Sequence, residues 1–368
     1  MKILHIYTSL DGGGVERFLL NYYKHMNRKD FEFDIVVPGS DIGILERDFE
    51  ELGAKIFHVS LFRDHKIEHL QEMIKIFKEG NYDIVHTHGY KSILGLIFAF
   101  IFGIKVRIIH SHMAFEKEKN FMKIKRQFVT LFSKLLSNVR WSCGIDAGNW
   151  LYGKNSYKNG YFQVIHNAID SDDFLFNEKI RMKCRQNLGI SDETFLVGNV
   201  ARLSEQKNQK FLIETFLLLK NNPNIKLIIV GKGELEKELK SLVREYDLNN
   251  IIFLGARNDV SELLMAFDLF VLPSFYEGLP VSLIEAQASG LKSLSSDTIT
   301  QEVNITKLVR YIDLKFGPKF WSNEILSLSK NMDTRLNIKY LEGTIYDIKL
   351  QALELENLYL NLERKFIN

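Results

Sequence analysis

Short β-branched runs alternate with amphipathic helical stretches along this chain, and the series runs twice. That alternation limits the fold more than any other feature. In the first half the strand candidates are "KILHIYT", "FEFDIVVPG", "AKIFHVS", "DIVHTH", "KVRIIHSH" and "RWSCGI". In the second half they are "TFLVGNV", "NIKLIIVG", "NIIFLG" and "LFVLPS". Helical periodicity fills the gaps, for example over 16–26, 69–78, 209–219 and 260–266. Strands that alternate with helices imply parallel sheets built from βαβ units. The second series starts near Thr194, so the expected fold class is α/β, with two Rossmann-like, doubly wound domains rather than one large sheet. The polar stretch "HNAIDSDDFLFNEK" between them reads as a hinge. The expected division is 1–170, 171–340 and a C-terminal amphipathic helix within 341–368. The strand signal fades after Asn304.

Composition narrows the partners. The chain has 368 residues, 46% hydrophobic and 26% charged, which suits a globular protein with two full cores. Its formal net charge is only +2, so no global field points to nucleic acid. Cys143 and Cys184 have no disulfide or metal spacing and read as buried thiols in a reducing compartment. The opening "MKILHIYTSL" reads as a strand and not as a signal peptide. The longest apolar run, 93–104, falls short of the roughly 20 residues needed to span a bilayer and reads as a buried helix.

In open α/β sheets ligands sit off the carboxyl ends of the strands, so the strand-to-helix loops carry the chemistry. "SLDGGGVERF" places three glycines, among them Gly13 and Gly14, before a helix that carries Glu16. Such a turn brings backbone N–H groups close to an anion, although a plain tight turn fits equally well. His86 and His88 end one strand, and His110 and His112 end the next. A hydrogen-bonded pair at the sheet edge is favoured over a metal site, since no third ligand is evident nearby. Arg202 and Lys207 precede a helix start, where cations are unfavourable unless a multiply charged anion lies between them. In "SFYEGLPVSLIEAQASG", Pro280 fits the first helical position. That puts Glu277 in the loop and Glu285 on the helix. The N–H groups near Gly278 and Leu279 can then face a phosphate, with a carboxylate on either side of it.

These residues resemble a known family. The last stretch is similar to the E-x7-E motif of retaining GT-B glycosyltransferases of family four. "GGGVE", "DIVHTH", "HSH", "HNAID", "RLSEQKN", "VGKGELE" and "FLGARNDVSELL" follow the family's order, most like bacterial members that build capsule, exopolysaccharide or lipopolysaccharide repeats. The resemblance implies a GT-B fold, with an acceptor-side N-terminal domain, a nucleotide-sugar-binding C-terminal domain and a last helix crossing back to the first. It implies that Arg202 and Lys207 hold the donor diphosphate, Glu277 the transferred sugar and Glu285 the ribose. Gly13 and Gly14 would touch the donor from the first domain. Gly231, Gly233 and the loop at Arg257 would line the base pocket. His112 most resembles the cleft histidine beside the sugar, with His110 as the alternative. Ala201, Ala168 and Lys292 depart from the family's usual Gly, Gly and Pro; no charged group is lost.

The expected reaction is sugar transfer from a nucleoside diphosphate sugar to a saccharide or lipid-linked acceptor, with retention. No cofactor and no metal is expected. "DSD" at 170–172 reads as turn and capping chemistry. The stretch 116–136 carries Lys117, Lys119, Lys123, Lys125 and Arg126, with Ile124, Phe128, Phe132 and Leu135 at helical spacing. It reads either as a core-packing helix or as a contact with an anionic membrane; the expected place is the cytoplasm, and the membrane contact would add a peripheral position on the inner face of the plasma membrane. Two rival readings remain: a GT-B sugar-nucleotide epimerase, and a catalytically silent nucleotide-sugar-binding subunit.

Overall fold

A computed structural model describes residues 1–11, 13–112, 120–330 and 335–367. Lys117 and Lys119 lie outside the described residues, as do the side chains of Lys123, Ile124, Lys125 and Arg126. The chain divides into two compact units, Met1–Ile169 with Gly343–Asn368, and Asp170–Glu342.

Among the described residues the first unit holds a seven-stranded parallel sheet in the order β3-β2-β1-β4-β5-β6-β7. Its strands are β1 (Lys2–Ile6), β2 (Glu32–Pro38), β3 (Lys55–Val59), β4 (Ile84–His88), β5 (Val106–Ser111), β6 (Val139–Ser142) and β7 (Gln163–Val164). The order reverses direction between β1 and β4, and ligands of doubly wound sheets gather at that point. Helix α1 (Gly14–His25) packs with the last helix, α13 (Ile348–Phe366), on one face. Ile348, Ala352, Leu355 and Tyr359 recur at helical spacing and are buried there. Each large apolar side chain in that row contributes about 1.5–3 kcal/mol of burial. Helices α3 (Lys66–Glu79) and α4 (Ile93–Ile101) pack against each other, and their apolar side chains meet in a separate core cluster.

The second unit repeats the plan. Its six-stranded parallel sheet runs β10-β9-β8-β11-β12-β13, with the switch between β8 (Phe195–Val200) and β11 (Leu269–Leu272). The neighbours are β9 (Ile225–Val230), β10 (Ile251–Gly255), β12 (Ser293–Ser296) and β13 (Val309–Ile312). Strand β13 corrects the expectation that strands end by Asn304. Strand β12 is the sequence "SLSS", whose hydroxyls hide its character by bonding nearby carbonyls. Asp170 accepts from the Asp172 N–H at 3.0 Å, and Asp172 pairs with Lys339. The "DSD" stretch is therefore a capped turn.

Three guanidinium groups close one end of α10 (Val260–Ala266). Arg181, Arg185 and Arg335 all donate to carbonyls among residues 264–267, where a helix C-terminus leaves acceptors open. Asp268 pairs with both Arg181 and Arg185 and accepts the Leu196 N–H at 2.7 Å, tying α7 (Glu178–Asn187) and α10 to β8.

Candidate functional site

In the second unit the loops after β8 and β11 meet at the switch point. A short 3₁₀ turn, Glu205–Lys207, follows β8, and Asn208 takes a left-handed φ of 54° to start α8 (Gln209–Leu217). The two loops are stitched by the Phe275 N–H donating to Gln206 O at 2.9 Å, Gln206 Nε2 to Tyr276 O at 2.8 Å and Asn208 Nδ2 to Pro273 O at 3.1 Å. This brings Lys207 against Glu277, with Nζ 2.6 and 2.7 Å from the two carboxylate oxygens. Glu277 is buried, so its charge is compensated there by the ammonium group.

Helix α11 spans Val281–Ala288, and Pro280 is its N-cap, one position earlier than the sequence suggests. Among the described residues the N–H groups of Gly278 and Leu279 find no protein acceptor. Glu285 lies on α11 and is buried, which removes the reading of it as an exposed helix acid. Arg202 is exposed and pairs with Glu234 at 3.1 Å. Arg257 pairs with Asp259 in the loop after β10.

Gly231 and Gly233 answer a packing need. Gly231 has a φ of +133°, and a Cβ there would stand 2.0 Å from Ala201 O. At Gly233 it would stand 2.2 Å from Leu203 O. The loop after β9 thus lies directly on the loop that carries Arg202.

In the first unit Gly13 is the N-cap and Gly14 the first residue of α1. The Glu16 carboxylate folds back over Gly13, so that a Cβ there would meet it at 2.7 Å. Glu16 is buried and accepts backbone N–H bonds from Gly13 and from itself. This is the return half of a capping box. Burial still raises its pKa, because those bonds do not fully replace water. The carboxylate takes the place that the sequence reading left open for an external anion.

The histidines depart furthest from expectation. Strands β4 and β5 lie inside the sheet and not at its edge. His5 on β1 stands in register with His86, and His88 with His110. The bonds cross between strands: His86 Nε2 to His110 Nδ1 at 3.2 Å, and His88 Nδ1 to His112 Nε2 at 3.0 Å. His88 Nε2 meets His5 Nδ1 at 3.0 Å, and His86 Nδ1 meets the Tyr359 hydroxyl at 2.9 Å. Burial lowers the pKa of all five rings, to about 3 for His5 and His112. They are neutral near pH 7.

Sequence reasoning missed His5, because a lone histidine in an apolar run gives no sign of its neighbours. It supplies the third nearby ring nitrogen that the sequence did not reveal. His5, His86 and His88 offer nitrogen atoms within 4.8 Å of one another, as do His88, His110 and His112.

Both halves of the chain match family models. Residues 12–173 match Glycosyltransferase Family 4, and residues 181–339 match Glycosyl transferases group 1. Over 332 residues the chain is 30% identical to EpsF of Bacillus subtilis (strain 168), covering 88% of this chain and 86% of that one. The chain is a family 4 glycosyltransferase. This glycosyltransferase is also 30% identical over 321 residues to the UDP-Gal:alpha-D-GlcNAc-diphosphoundecaprenol alpha-1,3-galactosyltransferase of Escherichia coli, covering 81% and 79% of the two chains. Anabaena HepE, solved with UDP and glucose, is similar with a TM-score of 0.79 over 98% of this chain and 99% of that one, at 18% identity. That likeness gives the GT-B fold.

The second half of α5 (Asn120–Leu136) also departs from a simple core helix. Val129 and Ser133 face inward, while Phe128, Leu131, Phe132 and Leu135 are exposed. Phe100 and Ile101 at the end of α4 are exposed as well, which qualifies the reading of that run as a buried helix. Arg107 joins the two helix ends: its Nε donates to Leu136 O, and its guanidinium lies 5.5 Å from the centre of the Phe100 ring. Among the described residues no helix is long and apolar enough to cross a membrane.

Proposed function

We propose that this glycosyltransferase moves a sugar from a nucleoside diphosphate sugar, with UDP favoured, to a saccharide or lipid-linked saccharide in cell-surface polysaccharide synthesis. The observation that carries the reading is the Lys207–Glu277 pair beside the open N–H groups of Gly278 and Leu279, at the switch point of the second sheet. Lys207 uses two of its donors on Glu277 and keeps a third for a phosphate oxygen. The anomeric C–O bond to the diphosphate breaks, and the diphosphate takes the electron pair. Lys207, Arg202 and the Gly278–Leu279 amides stabilise that charge as preorganised donors. The acceptor oxygen then bonds the anomeric carbon on the same face and passes its proton to the departing diphosphate oxygen. Glu277 positions the sugar and Glu285 the ribose; Gly231, Gly233 and Arg257 border the base. In the first unit Gly13, Gly14 and His112 are assigned to the donor, and Glu16, His86, His88 and His110 to the acceptor side or to structural support. No metal or cofactor has a part in this scheme.

The UDP donor is supported by the UDP-Gal donor in the Escherichia coli relative's name and by the HepE complex, and the diphosphoundecaprenol acceptor by that same relative. Retention is supported by the E-x7-E pattern. Ligand binding raises stability by mass action, by about 2.7 kcal/mol at a hundredfold excess over Kd. UDP is therefore expected to raise the melting temperature by several degrees, and CDP or GDP by less. No response to any nucleoside diphosphate removes the donor site. Release of a free epimerised sugar nucleotide without acceptor would replace transfer by epimerisation.

The second partner in this proposal is an anionic membrane surface on the inner face of the plasma membrane, with the α5 face as the contact. Phe128, Leu131, Phe132 and Leu135 form one exposed row at helical spacing, and the sequence 120–136 contains no acid beside its three lysines and one arginine. Apolar insertion plus cationic attraction fits an anionic lipid surface. Vesicles rich in anionic lipid are expected to retain the protein at low salt, and the Leu131→Asp/Leu135→Asp variant is expected to stay free. Equal retention of both proteins removes the membrane from the scheme.

A further inference from the structure

The histidine chain has a direction that proton counting fixes. His5, His88 and His112 are joined by two ring-to-ring bonds, each of 3.0 Å. Three neutral imidazoles carry three N–H groups. The two bonds use two of them, so the third N–H stands at one end of the chain. The ends are His5 Nε2 and His112 Nδ1; both atoms are buried, and neither has a hydrogen-bond partner among the described residues.

The two ends are not equivalent. His5 is fully buried in the sheet, with the Phe33 ring 4.2 Å away on one side. An N–H pointing there would be orphaned permanently, whereas a bare nitrogen lone pair is the milder defect. The His112 ring as a whole is less deeply buried, although its Nδ1 is covered in this structure, and it stands just beyond β5, at the carboxyl end of the sheet where ligands of this fold class gather. The favoured arrangement puts the lone pair at His5. His5 Nδ1–H then donates to His88 Nε2, His88 Nδ1–H donates to His112 Nε2, and the remaining proton sits on His112 Nδ1.

We infer that His5 and His88 are positioning residues that hold the proton of His112 on Nδ1, so that His112 donates a hydrogen bond to a substrate oxygen and does not act as a base. The ligand chemistry is an oxygen acceptor, such as a sugar hydroxyl or a phosphate oxygen, at the end of β5. The consequence for catalysis rests on the proposed transfer; the proton position does not.

The test reads the nitrogen atoms directly, by long-range proton–nitrogen NMR of the full chain labelled with 15N-histidine near pH 7.5. Substitution His112→Asn assigns the resonances. The expected result is a protonated, pyrrole-type Nδ1 and a bare, pyridine-type Nε2 at His112. The reverse pattern overturns the inference. His5→Phe removes the head of the chain and is expected to turn His112 into a mixture of both tautomers. His5→Asn, whose amide stands near the place of Nδ1, is expected to restore the single form. A His112 signal unchanged in a folded His5→Phe protein also overturns it, and if that variant does not fold the wild-type spectrum alone decides. A correct tautomer without any thermal response to UDP leaves this inference standing and removes the donor assignment. The reverse tautomer with a normal UDP response does the opposite.

Discussion

Lys207→Ala is expected to lower sugar transfer by about a thousandfold or more, measured as nucleoside diphosphate release in the presence of acceptor. One preorganised donor to a developing oxyanion is worth roughly 10²–10³ in rate, and here the same residue also holds Glu277 in place. Lys207 contributes a charge and a geometry at once, with Nζ 2.6 and 2.7 Å from the Glu277 oxygens. Its loss would also leave a buried carboxylate with only the 3.5 Å contact from Gln206 Nε2. An unsatisfied buried group costs about 1–3 kcal/mol, so the variant should melt several degrees lower. That drop could be mistaken for the cause of inactivity. The Lys207→Met/Glu277→Gln double variant separates the two effects, because it removes both charges together. It is expected to regain most of the lost stability while remaining inactive. Lys207→Arg keeps the charge but replaces a point donor by a planar fork and should retain only a small part of the rate. Wild-type turnover in Lys207→Ala would end the assignment of this loop to the donor.

The same loop shows what the sequence could and could not say. Lys207 and Glu277 are 70 residues apart, yet both follow strands whose patterns are plain. A doubly wound sheet brings the loops after its first and fourth strands together, so their meeting was legible once the fold class was. The partners that lock the pair were not legible. Gln206 works through its side-chain amide and its carbonyl, and neither has a signature in a polar loop. Strand β12 was hidden because "SLSS" satisfies its hydroxyls locally and so buries a sequence that scores as polar. His5 was hidden for the opposite reason. It sits in an apolar run, and only the register of β1 against β4 places it beside His86. The α5 face shows a further limit. Helical periodicity found Phe128, Phe132 and Leu135 but could not tell a buried face from an exposed one, since the same apolar row serves either.

The histidine cluster should make the first unit unusually sensitive to mild acid. His5, His86, His88 and His110 are fully buried, and burial lowers each pKa, to about 3 for His5. In the unfolded chain each returns to about 6.5. Between those values the unfolded state binds more protons, so stability falls as the pH falls below the ordinary histidine value. One pH unit below 6.5 each such ring costs on the order of 1 kcal/mol, and the four together several kcal/mol. That is comparable to the whole stability of an ordinary domain, about 5–15 kcal/mol. His166 is lowered by burial and acts in the same direction. His58, raised by its bond to Glu46, opposes it, but it is partly exposed and contributes little. Glu16, raised by burial, holds its proton more tightly in the fold and so opposes the acid loss. The first unit is therefore expected to lose its fold near pH 5–5.5, before most carboxylates titrate. Trp141 packs 5.2 Å from His86 and reports that unit. Trp321→Phe removes the tryptophan of the second unit, so the fluorescence of Trp141 and Trp150 follows the first unit during urea unfolding at stepped pH. The urea midpoint should fall steeply from pH 7 to 5.5, and His5→Phe should make that fall shallower by about one proton. A flat midpoint over that range would mean that the rings accept protons without leaving the sheet, and the closed, neutral cluster would have to be abandoned.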